Sequence, residues 1–271
     1  MKSATGTFIE YWGHFRDDAP SLVHPDDAAL ARQGDFELGL LPLPINGNLA
    51  EAEVVILMLN PGLDAEDYEW ERNASFRASL IRNLKQNHGP ADYPLLYLDP
   101  AFTQHPGAGY WSRARIPKRP KREQQKLRAV VEGLVKRDGV SIEAAQAHVA
   151  RKIAIVQLCP YHSTNMHRRD LLKKLPSCGR ARALVHALVS SEEKLVVATR
   201  SVSEWGFAGP VTSKNLVVYP SSLGISASLS LSSAGGVAIL QRLSRVPHGS
   251  NKWFQAMVLA LRARPAPEPR R

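Results

Sequence analysis

The sequence predicts an α/β fold, a three-layer α/β/α arrangement around a central, mostly parallel four-stranded sheet. Four short apolar runs, residues 54–59, 153–158, 195–198 and 216–218, lack the polar alternation of half-exposed strands and so belong in a sheet buried on both faces. Stretches of helical periodicity separate them, as crossover connections between parallel strands require. Each run also ends abruptly on polar or turn-forming residues: Asn60-Pro61-Gly62, Cys159-Pro160, Thr199-Arg200-Ser201 and Tyr219-Pro220.

Aromatic residues between Phe8 and Phe15 suit a short amphipathic helix, and Pro42, Pro44 and Asn46-Gly47-Asn48 make a turn-rich approach to the first strand. From Asp64 to Leu84 the chain turns acidic and then helical, with Phe76, Leu80, Ile81 and Leu84 on one face. Residues 88–120 carry Pro90, Pro94, Pro100, Pro106, Pro117 and Pro120, which predicts an extended insertion without regular structure. Helical periodicity resumes over 122–136 and 141–151, and a further helix is expected from about Val202. Residues 1–261 read as one domain, and the Pro- and Arg-rich segment 262–271 reads as a disordered basic tail.

Composition narrows the function classes. With 35 Lys and Arg against 25 Asp and Glu, the net charge of +10 favours a polyanionic partner. The two cysteines, Cys159 and Cys178, are too few for a disulfide framework or four-cysteine iron–sulfur ligation. Together with His162 and His167 they follow no standard zinc-finger spacing, so neither metal nor cofactor is expected. No signal-peptide pattern and no run of roughly 20 apolar residues is present, which predicts a cytoplasmic protein without a membrane partner.

Neither a Walker phosphate loop nor a GxGxxG turn succeeds the first strand, so chemistry must come from the strand ends. Asn60 offers one carbonyl acceptor and two amide donors, enough to orient a water but too weak a base to deprotonate it. Asp64 and Asp67, just beyond the turn, are the carboxylates within reach; capping of the next helix is their alternative role.

These residues resemble a family. Met58-Leu59-Asn60-Pro61-Gly62 is similar to the G-[IM]-N-P-G water-positioning motif of the mismatch-specific and single-strand-selective branches of the uracil-DNA glycosylase superfamily. Tyr219-Pro220-Ser221-Ser222-Leu223 resembles that superfamily's [HN]-P-S-x-[LR] motif, and Gln157-Leu158-Cys159-Pro160 its N-x-C-P stretch. The resemblance spans roughly residues 40–245. It implies a glycosylase-like fold and excision of a base flipped out of double-stranded DNA by a monomeric enzyme, leaving an abasic site. In it, Asn60 orients the water, Gln157 reads the base edge beside Met58, and Tyr219 donates to the leaving base. Pro220, Ser221 and Ser222 press on the DNA backbone, with Leu223 as the apolar wedge. An aromatic stacks on the flipped base; among Tyr68, Trp70 and Phe76 the spacing favours Tyr68 or Phe76.

Two basic clusters suit phosphate contacts or, alternatively, solvated helix faces. One runs through Arg113, Arg115, Lys118, Arg119, Lys121, Arg122, Lys126 and Arg128; the other comprises Arg168, Arg169, Lys173, Lys174, Arg180 and Arg182. Three positions depart together from the family pattern, Met58 for Gly, Gln157 for Asn and Tyr219 for His or Asn. Changing several pocket contacts together points away from plain uracil and toward a modified pyrimidine, such as the glucosylated hydroxymethylcytosine that some superfamily members are thought to remove from phage DNA. The alternatives are a uracil or mismatch repair glycosylase, a catalytically silent DNA-binding module, and a hydrolase of free nucleosides or nucleotides.

Overall fold

A computed structural model describes residues 3–90, 92–111, 127–207, 214–219 and 229–244. Its centre is a five-stranded mixed sheet of β1 (Ile45–Asn46), β2 (Val54–Met58), β3 (Ile153–Gln157), β4 (Leu195–Ala198) and β5 (Leu216–Val218). The spatial order is β1-β3-β2-β4-β5. β2 to β5 are the four apolar runs, mutually parallel; β1 pairs antiparallel with β3 at the edge. The expectation of four strands is therefore corrected to a mixed five-stranded sheet. Two residues are too short a strand to leave a periodic signal, and β1 exists because Asn46 and Ile45 meet Ile155 and Val156.

Side chains alternate across the strands and define two apolar clusters. Val55, Leu57, Ala154, Val156, Val196 and Ala198 face α1 (Ala4–Gly13), α4 (Ala74–Lys85) and α8 (Pro176–Ser191). Val54, Ile56, Met58, Ile153, Ile155, Leu195 and Val197 face α6 (Arg128–Asp138), α7 (Ile142–Lys152) and α9 (Ala234–Leu243). Between them in sequence lie α2 (Ala28–Ala31), α3 (Asp67–Arg72) and α5 (Pro106–Trp111). Burial on both faces is what removes polar alternation from the strands.

A side-chain cap fixes the start of α4. Asn73 Oδ1 accepts from the backbone N–H groups of Ser75 and Phe76, each at 3.1 Å, and starts α4 directly after α3. Residues 92–111 are more regular than a proline-rich insertion predicts. Pro100 and Pro106 each open a helical turn, a position where the missing N–H has no intrahelical partner anyway. Leu95, Leu98 and Trp111 from this stretch are buried against the α6–α7–α9 side of the sheet. After β4, residues 202–206 form only a turn, with Ser201 and Gly206 at φ of 55° and 85°. The expected helix is absent there because the chain reverses to bury Trp205 and Phe207 in the opposite cluster.

Among the described residues no helix is long and apolar enough to cross a membrane. The tail at 262–271 and the basic segment 112–126 lie outside the described residues.

Candidate active site

Strand order reverses around β2: the chain leaves it for β3 on one side and returns to β4 on the other. Open α/β sheets bind ligands at such a point, outside the carboxyl ends of the strands. A cleft of about 1210 Å³ occupies that place here. Met58, Ile155 and Gln157 form its floor; the turn at 60–64, α3, residues 104–111 and Arg200 form its walls.

The β2–β3 ladder continues beyond the strands, with the N–H groups of Leu158 and Cys159 donating to the carbonyls of Met58 and Leu59 at 3.0 and 2.8 Å. This brings Asn60 against the segment after β3. Asn60 Nδ2 donates to Ser163 Oγ at 3.0 Å and to the Ser163 carbonyl at 3.3 Å, which leaves the carboxamide oxygen as its acceptor toward the cleft. Pro61 and Gly62 then reverse the chain, Gly62 at a φ of 81° that a side chain would strain. The Gly62 carbonyl accepts from His162 Nδ1 at 2.9 Å, so the turn is tied to the β3 side as well. Burial holds His162 neutral, its pKa pushed down to about 4.

The two candidate carboxylates separate in role. Asp64 is exposed, and its Oδ1 accepts from the Glu66 N–H at 3.2 Å, a local turn bond. Asp67 faces the cleft from the first turn of α3 with its side chain only 14% exposed. Desolvation pushes its pKa up to about 6, opposed by the hydrogen bond that Oδ2 accepts from the Asp64 N–H at 2.7 Å. His105 Nε2 lies 3.7 Å from Asp67 Oδ1, and His162 Nδ1 lies 3.9 Å from Oδ2. The Gly107 N–H donates to His105 Nδ1 at 2.9 Å, so Nε2, the His105 nitrogen that faces Asp67, carries a hydrogen. His105 is held between Phe76, stacked at 4.6 Å, and Tyr97, stacked at 5.2 Å.

Gln157 ends β3, is 6% exposed, and leaves its buried Oε1 without a hydrogen-bond partner in the cleft floor. Arg200, beyond β4, donates through Nη2 to the Tyr110 hydroxyl at 2.7 Å while its buried Nε has no partner. Asn46 of β1 borders the same floor with an unpartnered Nδ2. Unpaired buried donors and acceptors each cost about 1–3 kcal/mol, so three around one cleft are unusual outside a binding site.

The structure thus brings Met58, Asn60, Asp64 and Gln157 together and places other expected residues elsewhere. Phe76 is 2% exposed and packs inside the α1–α4–α8 cluster. Tyr68 is 38% exposed, lies against Gly39 and does not border the cleft, with burial and its hydrogen bond to Glu37 raising its pKa to about 12. Asp67 and Trp70, three apart and therefore on one helix face, reach the cleft from α3, as do Glu66 and Glu69 beside them. The aromatic wall is Trp70, Tyr97, Tyr110 and Trp111.

Tyr219 comes directly after β5, one strand beyond β4, and is 5% exposed in the α6–α7–α9 cluster. Its hydroxyl donates to Ser233 Oγ at 3.0 Å and accepts from the Gly235 N–H at 3.1 Å. The phenol is therefore committed to the start of α9 and does not border the cleft. Arg168 makes a two-point pair with Asp170 and donates to the Gln33 carbonyl, and Arg169 is paired with Glu204. Lys118, Arg119, Lys121, Pro220, Ser221, Ser222 and Leu223 lie outside the described residues.

Sequence reasoning missed Asn46, His105, Ser163 and Arg200 as cleft residues. Only Arg200 carried a signal, its place immediately after an apolar strand. Cys159 and Cys178 are buried together, burial and the neighbouring Cys178 pushing the Cys159 thiol up, well away from metal-ligand or nucleophile character. No family model, curated protein or solved structure matches the chain.

Proposed function

We propose that the protein is a DNA glycosylase that hydrolyses the N-glycosidic bond of a flipped, modified pyrimidine. The observation that carries this reading is the meeting of three complementary groups in one cleft: the carboxamide oxygen of Asn60, the carboxylate of Asp67 and the unpaired acceptor of Gln157. Glycosidic cleavage develops positive charge on the sugar and negative charge on the departing base. Asn60 holds a water, Asp67 accepts its proton as it adds to the anomeric carbon, and Gln157 grips the base. A carboxyl poised at about 6 suits proton transfer near neutral pH better than Asn60 alone, which has no basicity to offer.

The leaving-group role expected of Tyr219 passes to Arg200, whose guanidinium faces the cleft and offsets charge on the released base. Trp70 and Tyr110 supply the stacking surface. At about 1210 Å³ the cleft exceeds the roughly 300–1,000 Å³ usual for small-molecule sites, which supports a base bearing an appended group over plain uracil.

One observation favours a second reading. Asp64, Glu66, Asp67 and Glu69 border the cleft, against a single Lys or Arg, Arg200, among the described lining residues. A phosphate backbone is repelled by such a rim, whereas the hydroxyls of a free nucleoside are good partners for carboxylates. Hydrolysis of nucleosides by the same groups is the rival function. Incubation with duplexes carrying uracil, a thymine mismatch, hydroxymethylcytosine or its glucosylated form, in parallel with the corresponding nucleosides, decides between them. Base release from modified DNA supports the glycosylase; release from nucleosides alone supports the rival.

A further inference from the structure

We infer that Asn46 and Gln157 form a paired reading edge, an amide N–H donor beside an amide acceptor, that selects a heterocycle presenting an N–H donor next to an acceptor. The inference deepens the proposed glycosylase function and rests on it for the ligand's being a nucleobase.

Asn46 is 1% exposed, and its amide has one allowed orientation. The Leu96 backbone N–H, which can only donate, reaches Asn46 Oδ1 at 2.8 Å. Nδ2 is thereby turned the other way, into the border of the cleft, where it is buried and has no partner. Gln157 Oε1 is the complementary orphan, a buried acceptor in the same cleft. Strand register sets the two side by side. Asn46 pairs with Ile155, and Gln157 stands two residues further along β3, so both side chains belong to the sheet face of Ile155. Such diagonal neighbours sit about 7–8 Å apart, within reach of long side chains, yet Nδ2 and Oε1 are not bonded to each other and so remain free to share one ring.

The donor is held rigidly. The Gly47 N–H donates to Asn83 Oδ1 at 2.6 Å, and Gln86 Nε2 donates to the Gly47 carbonyl at 2.9 Å, pinning the end of β1 to α4. Gly47 itself has a φ of 118° and passes so close to β3 that a Cβ would lie 2.6 Å from the Ile153 carbonyl oxygen. A two-residue edge strand anchored this firmly, with a polar side chain directed at the cleft, is better suited to reading a ligand than to supporting the sheet.

In the complex, an N–H of the ligand meets Gln157 Oε1, and an adjacent carbonyl oxygen or ring nitrogen meets Asn46 Nδ2. Uracil-type and cytosine-type rings both present such a pair, whereas an alkylated ring without the N–H leaves Oε1 buried and unpaired.

The test uses the full chain and two small probes, 1-methyluracil and 1,3-dimethyluracil, with binding read from the fluorescence of Trp70 and Trp111 in the cleft wall. The wild type is expected to bind 1-methyluracil at least about tenfold more tightly than the dimethylated ring. In Gln157→Leu the ratio of the two affinities should fall to about one, a change that misfolding cannot produce because both probes are measured on the same protein. Asn46→Asp keeps an acceptor for the Leu96 N–H but removes the donor, and should weaken 1-methyluracil about tenfold or more. Equal binding of both probes by the wild type, no binding of either, or unchanged affinity in Asn46→Asp with an intact thermal transition overturns the inference. Excision is scored separately. Discrimination between the probes without base release from DNA removes the glycosylase and keeps the reading edge; base release that ignores Asn46 and Gln157 does the reverse.

Discussion

Replacement of Asp67 by Asn should slow base release and stabilise the fold, with a gain that depends on pH in one direction only. The folded-state pKa of Asp67 lies at about 6 against an ordinary 3.8. Its protonated form is therefore favoured by folding; the associated stability is fully present below about 3.8 and is lost as pH rises through about 6. Above that, the native state carries a buried charge whose penalty is about 3 kcal/mol, from a displacement of about two pH units at 1.36 kcal/mol each. In Asp67→Asn the new carboxamide oxygen still accepts from the Asp64 N–H, so the turn survives. The substitution also relieves the repulsion that adds to burial in raising Glu71 to about 7. Urea unfolding of wild type and variant should show a gain approaching about 3 kcal/mol near pH 8 and close to none near pH 4. Base release by the wild type should rise through about pH 6, and the variant should lose that limb together with about 10²-fold or more of the rate. A stability difference independent of pH, or a variant as active as the wild type, would refute both the buried charge at Asp67 and its assignment as the base.

Individual contacts set the other expected outcomes. Asn60→Ala removes the carboxamide oxygen and leaves Ser163 without its two bonds from Nδ2, and should slow base release by about 10²-fold at a cost of about 1–2 kcal/mol in stability. Tyr219→Phe loses the bonds to Ser233 and Gly235 and should cost about 1–2 kcal/mol in chemical denaturation while base release persists, because the phenol stands outside the cleft. Gly47→Ala forces a Cβ to within 2.6 Å of the Ile153 carbonyl oxygen and should lower stability by more than about 1–2 kcal/mol, exceeding Gly62→Ala, where only the left-handed backbone resists and the space is open. Asp27→Ala strips a fully buried carboxylate that accepts from Tyr161 at 2.6 Å and from the Ser177 N–H at 3.1 Å, and should cost about 3 kcal/mol or more without altering substrate preference.

The parts of the fold legible in the sequence were those that depend on burial. Val54–Met58 and Ile153–Gln157 read as strands because helices cover both their faces, and no competing polar residue interrupts them. Ile45–Asn46 was illegible: pairing with β3, and not its own sequence, makes it a strand. Prolines misled in residues 92–111, where Pro100 and Pro106 start helical turns they were expected to break. In the site, Asn60, Met58 and Gln157 were legible because the carboxyl end of a buried strand fixes the position of its last side chains and of the turn beyond. Choosing Tyr68 and Phe76 over Trp70 required knowing how α3 and α4 are rotated, which three-residue spacings do not set until the helices are packed. His105 and Asn46 reach the cleft through tertiary contacts with Asp67 and Leu96, and nothing local marks them.

Whether the cleft beside Asn60 releases a base from DNA is decided by mass-spectrometric identification of the product, after incubation of the full chain with duplexes of defined modification. A free modified pyrimidine and an abasic strand are expected with the wild type, and both form about 10²-fold more slowly with Asn60→Ala or Asp67→Asn. Intact DNA with every substrate, or base release at the wild-type rate in both variants, would contradict the assignment.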